Sequence, residues 1–384
     1  MAEKPIRVAV IINNFVVGGV SAVALGIFRN TPKDEVSYSF IKGSAAEYEP
    51  DEELKQLQVP VYTIPQKKPI CCTIFTLWAN DLRRAKYIYK LLKENGPFDV
   101  VHIHDFPFSG ILAAKKAGIP MRILHSHLST SEFYGAEKTS RITRIFMTIR
   151  QWFYLHYATH HVGTSLMSCY ALFGEKALQK YTPIIINPGT NLKRYDINQY
   201  SVTDARAAFP SDEESIRLVH VGRFVAVKNQ SFLLDVMCAL KKKNQKADLF
   251  ILGNGVLEND LKKKTEELHL TECVHFLPPG TNLPLLMRGC HFFLLPSFSE
   301  GFGLVLTDAQ AMGLRCLASD TISQETNAGL VTYLPIDNTA ELWAQTIISQ
   351  HKEAPRKPDF QKLARFDEQH MADKAVRVYK GYKG

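Results

Sequence analysis

No stretch of this 384-residue chain approaches the ~20 consecutive apolar residues needed to span a bilayer, which excludes an integral helical membrane protein. Seven cysteines, an odd number with an adjacent pair at Cys71 and Cys72 and no Cys-x-x-Cys, form neither a disulfide framework nor a zinc ligand set. They read as reduced thiols. No Asp-x-Asp occurs, the motif expected where a divalent cation carries a diphosphate, and the lack of a full Gly-x-Gly-x-x-Gly leaves dinucleotide binding unsupported. The opening residues run straight into the apolar segment Ile6 to Ile12 without a small-residue cleavage site, so the expectation is a chain with no signal peptide that stays in the cytoplasm. Internal repeats and low-complexity tracts are missing as well.

What is present is an ordinary soluble composition, 46% hydrophobic and 22% charged, over a length that calls for two domains. The net charge of +8 is uneven: residues 1 to 190 hold 22 Lys and Arg against 15 Asp and Glu, and the remainder is nearly balanced. Several of these charges lie among aromatics between Lys138 and Tyr154, in a helix-like pattern suited to an anionic membrane surface. A solvated helix face with its apolar side in the core is the competing reading. Nucleic acid, the other anionic partner, is not expected.

Apolar runs alternate with helical patterns throughout. Strands are predicted at Arg7 to Ile12, Val36 to Ile41, Val59 to Ile64, Val100 to His104, Arg122 to Ser126, His160 to Thr164 and Pro183 to Ile186, with helices at Gly19 to Phe28, Ile74 to Asn95 and Ile142 to Tyr157. The turn-rich Asn187-Pro188-Gly189-Thr190-Asn191 breaks this rhythm, and it restarts at Arg217. Two doubly wound α/β domains are implied, residues 1–190 and 191–365, followed by a terminal helix in 366–384 that packs back on the first domain.

Three segments can carry chemistry. After the strand Phe292 to Leu295, Glu300-Gly301-Phe302-Gly303 turns into a helix bearing Asp308. Glycines admit a ligand to the backbone, and the amides of Gly301, Phe302, Gly303, Leu304 and Val305 at a helix start suit a phosphate. Glu300 and Asp308 lie about 12 Å apart along the helix rise, too far for a hydrolase acid/base pair but suited to hydroxyls at two ends of one extended ligand. The bland alternative is a helix cap and a surface charge. Next, Gly222-Arg223 ends a strand and Lys228 opens the following helix, so a planar fork and a point charge can meet a diphosphate. Finally, the first strand runs into Asn13-Asn14-Phe15-Val16-Val17-Gly18-Gly19-Val20, and two neighbouring strands end in His102-Ile103-His104 and His125-Ser126-His127. Alternation turns His102 with His104, and His125 with His127, to one face each. Without an acidic ligand set these histidines read as substrate-binding or core groups, and no metal is expected.

Taken together these segments resemble the retaining glycosyltransferases of family 4, over nearly the whole chain: Gly18-Gly19-Val20, Val101 to His104, Arg122 to His127, Gly222-Arg223 with Lys228-Asn229, and Glu300 through Gly313. The His-Ser-His stretch is similar to the exopolysaccharide and capsule-type transferases. The resemblance implies the GT-B fold, two Rossmann-like domains facing across a cleft, and sugar transfer from a nucleotide-sugar, a UDP-sugar in preference, to a saccharide or lipid-linked acceptor without a metal or other cofactor. It implies that Arg223 and Lys228 hold the donor diphosphate, Glu300 the sugar hydroxyls and Asp308 the ribose diol. It also places His127 near the reacting sugar and Gly19 beside the donor phosphate or acceptor. Asp308 departs from the usual Glu, and Pro278 to Pro284 lacks the Arg and Asp often found there. A nucleotide-sugar epimerase of the same fold, and a non-catalytic partner subunit, remain the alternatives.

Overall fold

The computed structural model describes residues 4–13, 15, 18–43, 49–65, 74–104, 108–127, 141–209, 211–337, 339–354 and 357–382. Cys71, Cys72, Asp105, the stretch Lys138 to Ser140, and Asn14, Val16 and Val17 of the first glycine turn lie outside these residues. The chain forms two compact units, one of residues 1–189 with 368–384, the other of Thr190–Asp367.

The first unit holds a seven-stranded parallel sheet in the order β3-β2-β1-β4-β5-β6-β7. Its strands are β1 (Ile6–Ile12), β2 (Val36–Lys42), β3 (Val61–Thr63), β4 (Val100–Ile103), β5 (Met121–Ser126), β6 (His160–Gly163) and β7 (Ile184–Ile185). Its apolar runs are continuous because both faces are covered. Val8, Val10 and Ile12 of β1 pack into one core with Ile27, Phe28 and Met371, whereas Ala9 and Ile11 face a second core holding Ile88, Leu92 and Ile111. His102 shares the first face with its neighbours Val100 and Ile123, the side on which Met371 and Tyr379 of the last helix, Glu368–Tyr379, are buried.

The second unit repeats the plan with six parallel strands in the order β10-β9-β8-β11-β12-β13. They are β8 (Ile216–Val221), β9 (Ala247–Leu252), β10 (Val274–Leu277), β11 (Phe292–Leu295), β12 (Arg315–Ser319) and β13 (Val331–Leu334). Phe292 and Leu294 point into one core, Phe293 and Leu295 into the other.

Differences from the sequence expectations concern ends and weakly patterned pieces. The terminal helix runs Glu368–Tyr379 and not from Phe366, because Phe366 closes a 3-10 turn and its ring meets Phe302 edge-on at 5.6 Å. The helix Phe108–Ala117 is absent from the periodicity because Ser109, Gly110, Ala113 and Ala114 are all buried, leaving little polar face to read. The exposed edge strand β13 escaped for the opposite reason, being only half-buried along its length. The five cysteines among the described residues are free thiols.

Gly253 shows how tightly the second sheet's carboxyl edge is built. A Cβ there would sit 2.1 Å from the Gly222 carbonyl oxygen, and one at Gly255 2.5 Å from that of Phe224. The two loops are tied by Gly222 N–H to Leu252 O at 3.0 Å and Phe224 N–H to Asn254 O at 2.7 Å. Gly253→Ala must therefore push the Arg223 turn away, at an expected cost of about 3 kcal/mol in urea unfolding; an unchanged midpoint would refute this account of the turn.

Candidate functional site

In each sheet the strand order reverses between two central strands, β1 and β4 in the first and β8 and β11 in the second, and ligands of open α/β sheets bind beyond the carboxyl ends at that reversal. The singled-out residues lie at or after the carboxyl ends of β1, β4 and β5 in the first unit and of β8 and β11 in the second.

In the second unit, β11 runs through Pro296 and Ser297 into Glu300, and the backbone then turns at Gly303 (φ 84, ψ 43) into the helix Leu304–Ala311. That left-handed conformation favours glycine. No side chain caps the helix start, so its leading amides keep their donor capacity and positive dipole end. Glu300 is 8% exposed and fully engaged: Oε2 takes the Lys228 ammonium at 2.6 Å and Oε1 accepts from the Ser297 hydroxyl at 2.6 Å. A largely buried ion pair so placed bridges the loops after β8 and β11, across the reversal point.

The backbone supports the same bridge. Phe298 N–H donates to Val227 O at 2.9 Å and Asn229 Nδ2 to Pro296 O at 3.3 Å, with Asn229 in the left-handed region. From the other side the Thr321 hydroxyl reaches Phe298 O at 2.9 Å. Arg223 is exposed, and its turn is held from beneath. Gln230 donates to Arg223 O at 2.8 Å and to His220 Nε2 at 3.2 Å, while His220 Nδ1 donates to Leu294 O at 2.8 Å. Burial, ahead of all other causes, pushes the His220 imidazole down to about 4, so it is neutral at pH 7 and can accept at one nitrogen while donating at the other.

Asp308 is also buried, and it acts on Tyr195, whose pKa stands well above the ordinary phenol value through burial first and the Asp308 charge second. Phe302 is a core residue against Phe366, so only its backbone is left to meet a ligand. The helix behind the loop is fixed by Gln310, which donates to Leu306 O and Thr326 O and accepts from Ala328 N–H at 2.7 Å. Sequence reasoning missed Ser297, Gln230, Thr321 and Tyr195, whose partners are 3, 7, 23 and 113 residues away and share no motif with them.

In the first unit, Gly18 and Gly19 open the helix Gly19–Asn30 directly after the β1 turn. A Cβ at either would meet nothing within 4 Å, and neither needs the left-handed region. Internal packing therefore does not demand a glycine here; close approach of something else would. His102, His104 and His125 are buried and His127 half-buried at the ends of β4 and β5, and the predicted alternation does bring them into one cluster. Their ligand-capable nitrogens, for His102, His104 and His125, lie within 4.8 Å of one another. His102 Nε2 is 3.1 Å from His125 Nδ1, and His104 Nδ1 3.2 Å from His127 Nε2. Burial holds all four below the usual imidazole value, His127 down to about 3.

Comparison with known proteins fits this two-site arrangement. The sequence profile described as Glycosyltransferase Family 4 matches residues 17–167, and that described as Glycosyl transferases group 1 matches residues 201–364. The chain is a family 4 glycosyltransferase. The enzyme is 29% identical over 375 residues to EpsF of Bacillus subtilis, which is assigned as a glycosyltransferase, across 94% of this chain and 93% of that protein. It is 24% identical over 320 residues to the UDP-Gal:alpha-D-GlcNAc-diphosphoundecaprenol alpha-1,3-galactosyltransferase of Escherichia coli, covering 79% and 76% of the two chains. Anabaena HepE, solved with UDP and glucose, superposes with a TM-score of 0.73 at 14% identity over 98% of this glycosyltransferase and all of HepE, a likeness of fold. The fold is GT-B.

Proposed function

We propose that this glycosyltransferase moves a sugar, with retained configuration, from a UDP-sugar to a saccharide or lipid-linked acceptor during synthesis of a cell-surface polysaccharide. The observation that carries the reading is the Lys228–Glu300–Ser297 cluster at the strand reversal of the second unit, roofed by an uncapped helix start. UDP in HepE and the UDP-Gal and diphosphoundecaprenol in the name of the Escherichia coli relative support the donor and acceptor classes.

In this reading Arg223 and Lys228 take the donor diphosphate together with the amides of Gly301 to Val305. Glu300 holds sugar hydroxyls while tied to Lys228, which keeps the cation aimed at the phosphate. Asp308, steadied by Tyr195, takes the ribose diol. Loss of the nucleoside diphosphate leaves an oxocarbenium-like sugar and an anion. Fixed cations and amides stabilise the growing charge without reorganising, each such donor being worth ~3 kcal/mol. The same groups supply the charge a divalent ion would otherwise bring, so no metal is required. The acceptor attacks on the face the diphosphate leaves, the departing phosphate takes its proton, and no protein nucleophile takes part. Gly19 admits the donor phosphate or acceptor to the backbone, and His127 lies against the reacting sugar.

A lipid-linked acceptor calls for contact with an anionic membrane surface, and the first unit offers one. Ile145, Ile149 and Trp152, exposed by 62, 41 and 50%, lie on one stripe of the helix Arg141–Tyr157, which carries three arginines and no acidic residue. Among the described residues no helix is long and apolar enough to cross a membrane. Flotation with anionic liposomes should fall on Trp152→Ser and with added salt; flotation indifferent to both would refute the contact.

The deciding experiment incubates the purified chain with a panel of UDP-sugars with and without saccharide acceptors, following UDP release and the anomeric configuration of the product by NMR. Acceptor-dependent UDP release, an unchanged anomer and a rate insensitive to EDTA are expected. An isomerised UDP-sugar formed without acceptor would make the enzyme an epimerase; an inverted anomer or a rate restored only by Mg2+ would overturn the mechanism.

A further inference from the structure

The four histidines are stacked in two tiers, and the lower tier is fastened to the last helix of the chain. His102 and His125 form the inner pair, nearly coplanar at 7°. His104 and His127 form the outer pair, His104 lying 4.0 Å over His102 and His127 4.5 Å over His125 between ring centroids. Since all four are neutral at pH 7, each ring carries one N–H and one lone pair. Each pair therefore needs one ring to donate and the other to accept, and which does so is set by what the remaining nitrogens touch. For His102 that nitrogen is Nδ1, and it lies 2.8 Å from the hydroxyl of Tyr379.

Tyr379 is a costly residue to place there. It is 4% exposed, its ring stands edge-on to His102 at 5.7 Å and to Tyr38 at 6.4 Å, and burial raises its pKa far above the ordinary phenol value. It therefore stays protonated and can donate. The Tyr379 hydroxyl, which also bonds Tyr38, thereby decides which His102 nitrogen carries the proton: as donor to Nδ1 it puts that proton on Nε2, where it donates to His125 Nδ1. The outer pair rests on this plate. With His127 Nε2 taken by His104, only Nδ1 of His127 remains to meet a substrate oxygen.

We propose that Tyr379 is a positioning residue for sugar transfer: through His102 and His125 it fixes the ring plane and tautomer of the tier on which His104 and His127 are stacked. The terminal helix thereby serves the chemistry of the first unit as well as its packing. This inference rests on the reading that places His127 against the reacting sugar.

Tyr379→Phe tests it, because it removes the hydroxyl and keeps the ring. Calorimetry should give an unchanged Kd for UDP and the melting temperature should stay within a few degrees. The kcat should fall about tenfold to a hundredfold, the loss expected when a reacting group is slightly misplaced, with little change in the donor KM. In protein labelled with 15N-histidine, the ring-nitrogen resonances of His127 should shift, a change that a purely structural tyrosine would not produce. Native kcat together with unaltered His127 resonances would overturn the proposal. Should the single variant unfold, the pair Tyr379→Phe with His102→Gln removes the ring nitrogen that faces Tyr379 while keeping an amide to meet His125 Nδ1, and it carries the same expectation. His127→Ala separates the two readings. If it is inactive while Tyr379→Phe is native, the positioning role alone fails; if it is fully active, the placement of His127 fails with it.

Discussion

Glu300→Gln is expected to lower kcat/KM for sugar transfer by about a hundredfold to a thousandfold, the scale found when one preorganised electrostatic group is removed from a transition state. Glu300 makes two bonds at once, to Lys228 and Ser297, and is nearly excluded from water. The amide keeps the shape but loses the charge, so the Lys228 ammonium, itself 16% exposed along its side chain, is left without its counter-ion. Part of the loss will therefore be structural, at about 2 kcal/mol in unfolding free energy. The double variant Lys228→Met with Glu300→Gln divides the two parts. It removes both charges and should regain most of the stability while remaining inactive. An active single variant, or a double variant whose activity returns along with its stability, would show that the ion pair is only a fastening of the loops after β8 and β11.

Acidification should unfold the first unit well before ordinary carboxylate titration would. His102, His104 and His125 are buried and held well below their usual pKa by desolvation first and by neighbouring imidazoles second. In the unfolded chain each returns to ~6.5 and binds a proton that the folded state refuses. The unfolded state thus holds more protons below pH 6.5, and stability rises with pH in that range. The contribution is complete above ~6.5 and is lost as pH falls, at about 1.4 kcal/mol per unit for each ring. With three rings acting in the same direction, the melting temperature is expected to be clearly lower at pH 5 than at pH 7.5. Calorimetry at pH 7.5 and pH 5 measures it, and His125→Asn should flatten the dependence by one proton's worth. Equal melting temperatures at the two pH values would mean that the cluster takes up protons while folded.

Much of this enzyme was legible before any coordinates. Apolar runs such as Ile6–Ile12 and Phe292–Leu295 are unbroken because strands in a doubly covered parallel sheet have no wet face, and that pattern survives in the sequence whatever lies opposite. The glycines around Phe302 marked a strand-to-helix turn, and Glu300, Arg223 and Lys228 stood close enough to strand ends to be noticed as charges without an obvious structural duty. Where the pattern was faint, as in the small-residue helix Phe108–Ala117, local periodicity had little to show because its small residues are buried along with its apolar ones.

What the sequence alone determined is therefore the two-sheet architecture, the positions of its turns and the set of polar residues gathered at their ends, since these follow from unbroken apolar runs, from the 3.6-residue period of the helices and from the glycines and prolines between them. Only the tertiary structure decided who partners whom. Lys228 meets Glu300 across 72 residues, Tyr195 meets Asp308 across 113, and Tyr379 meets His102 across 277. Hydrogen bonds and ion pairs act over about 3 Å of space and carry no trace of sequence distance, so the chemistry of each carboxylate and imidazole was set by neighbours that folding alone brings near.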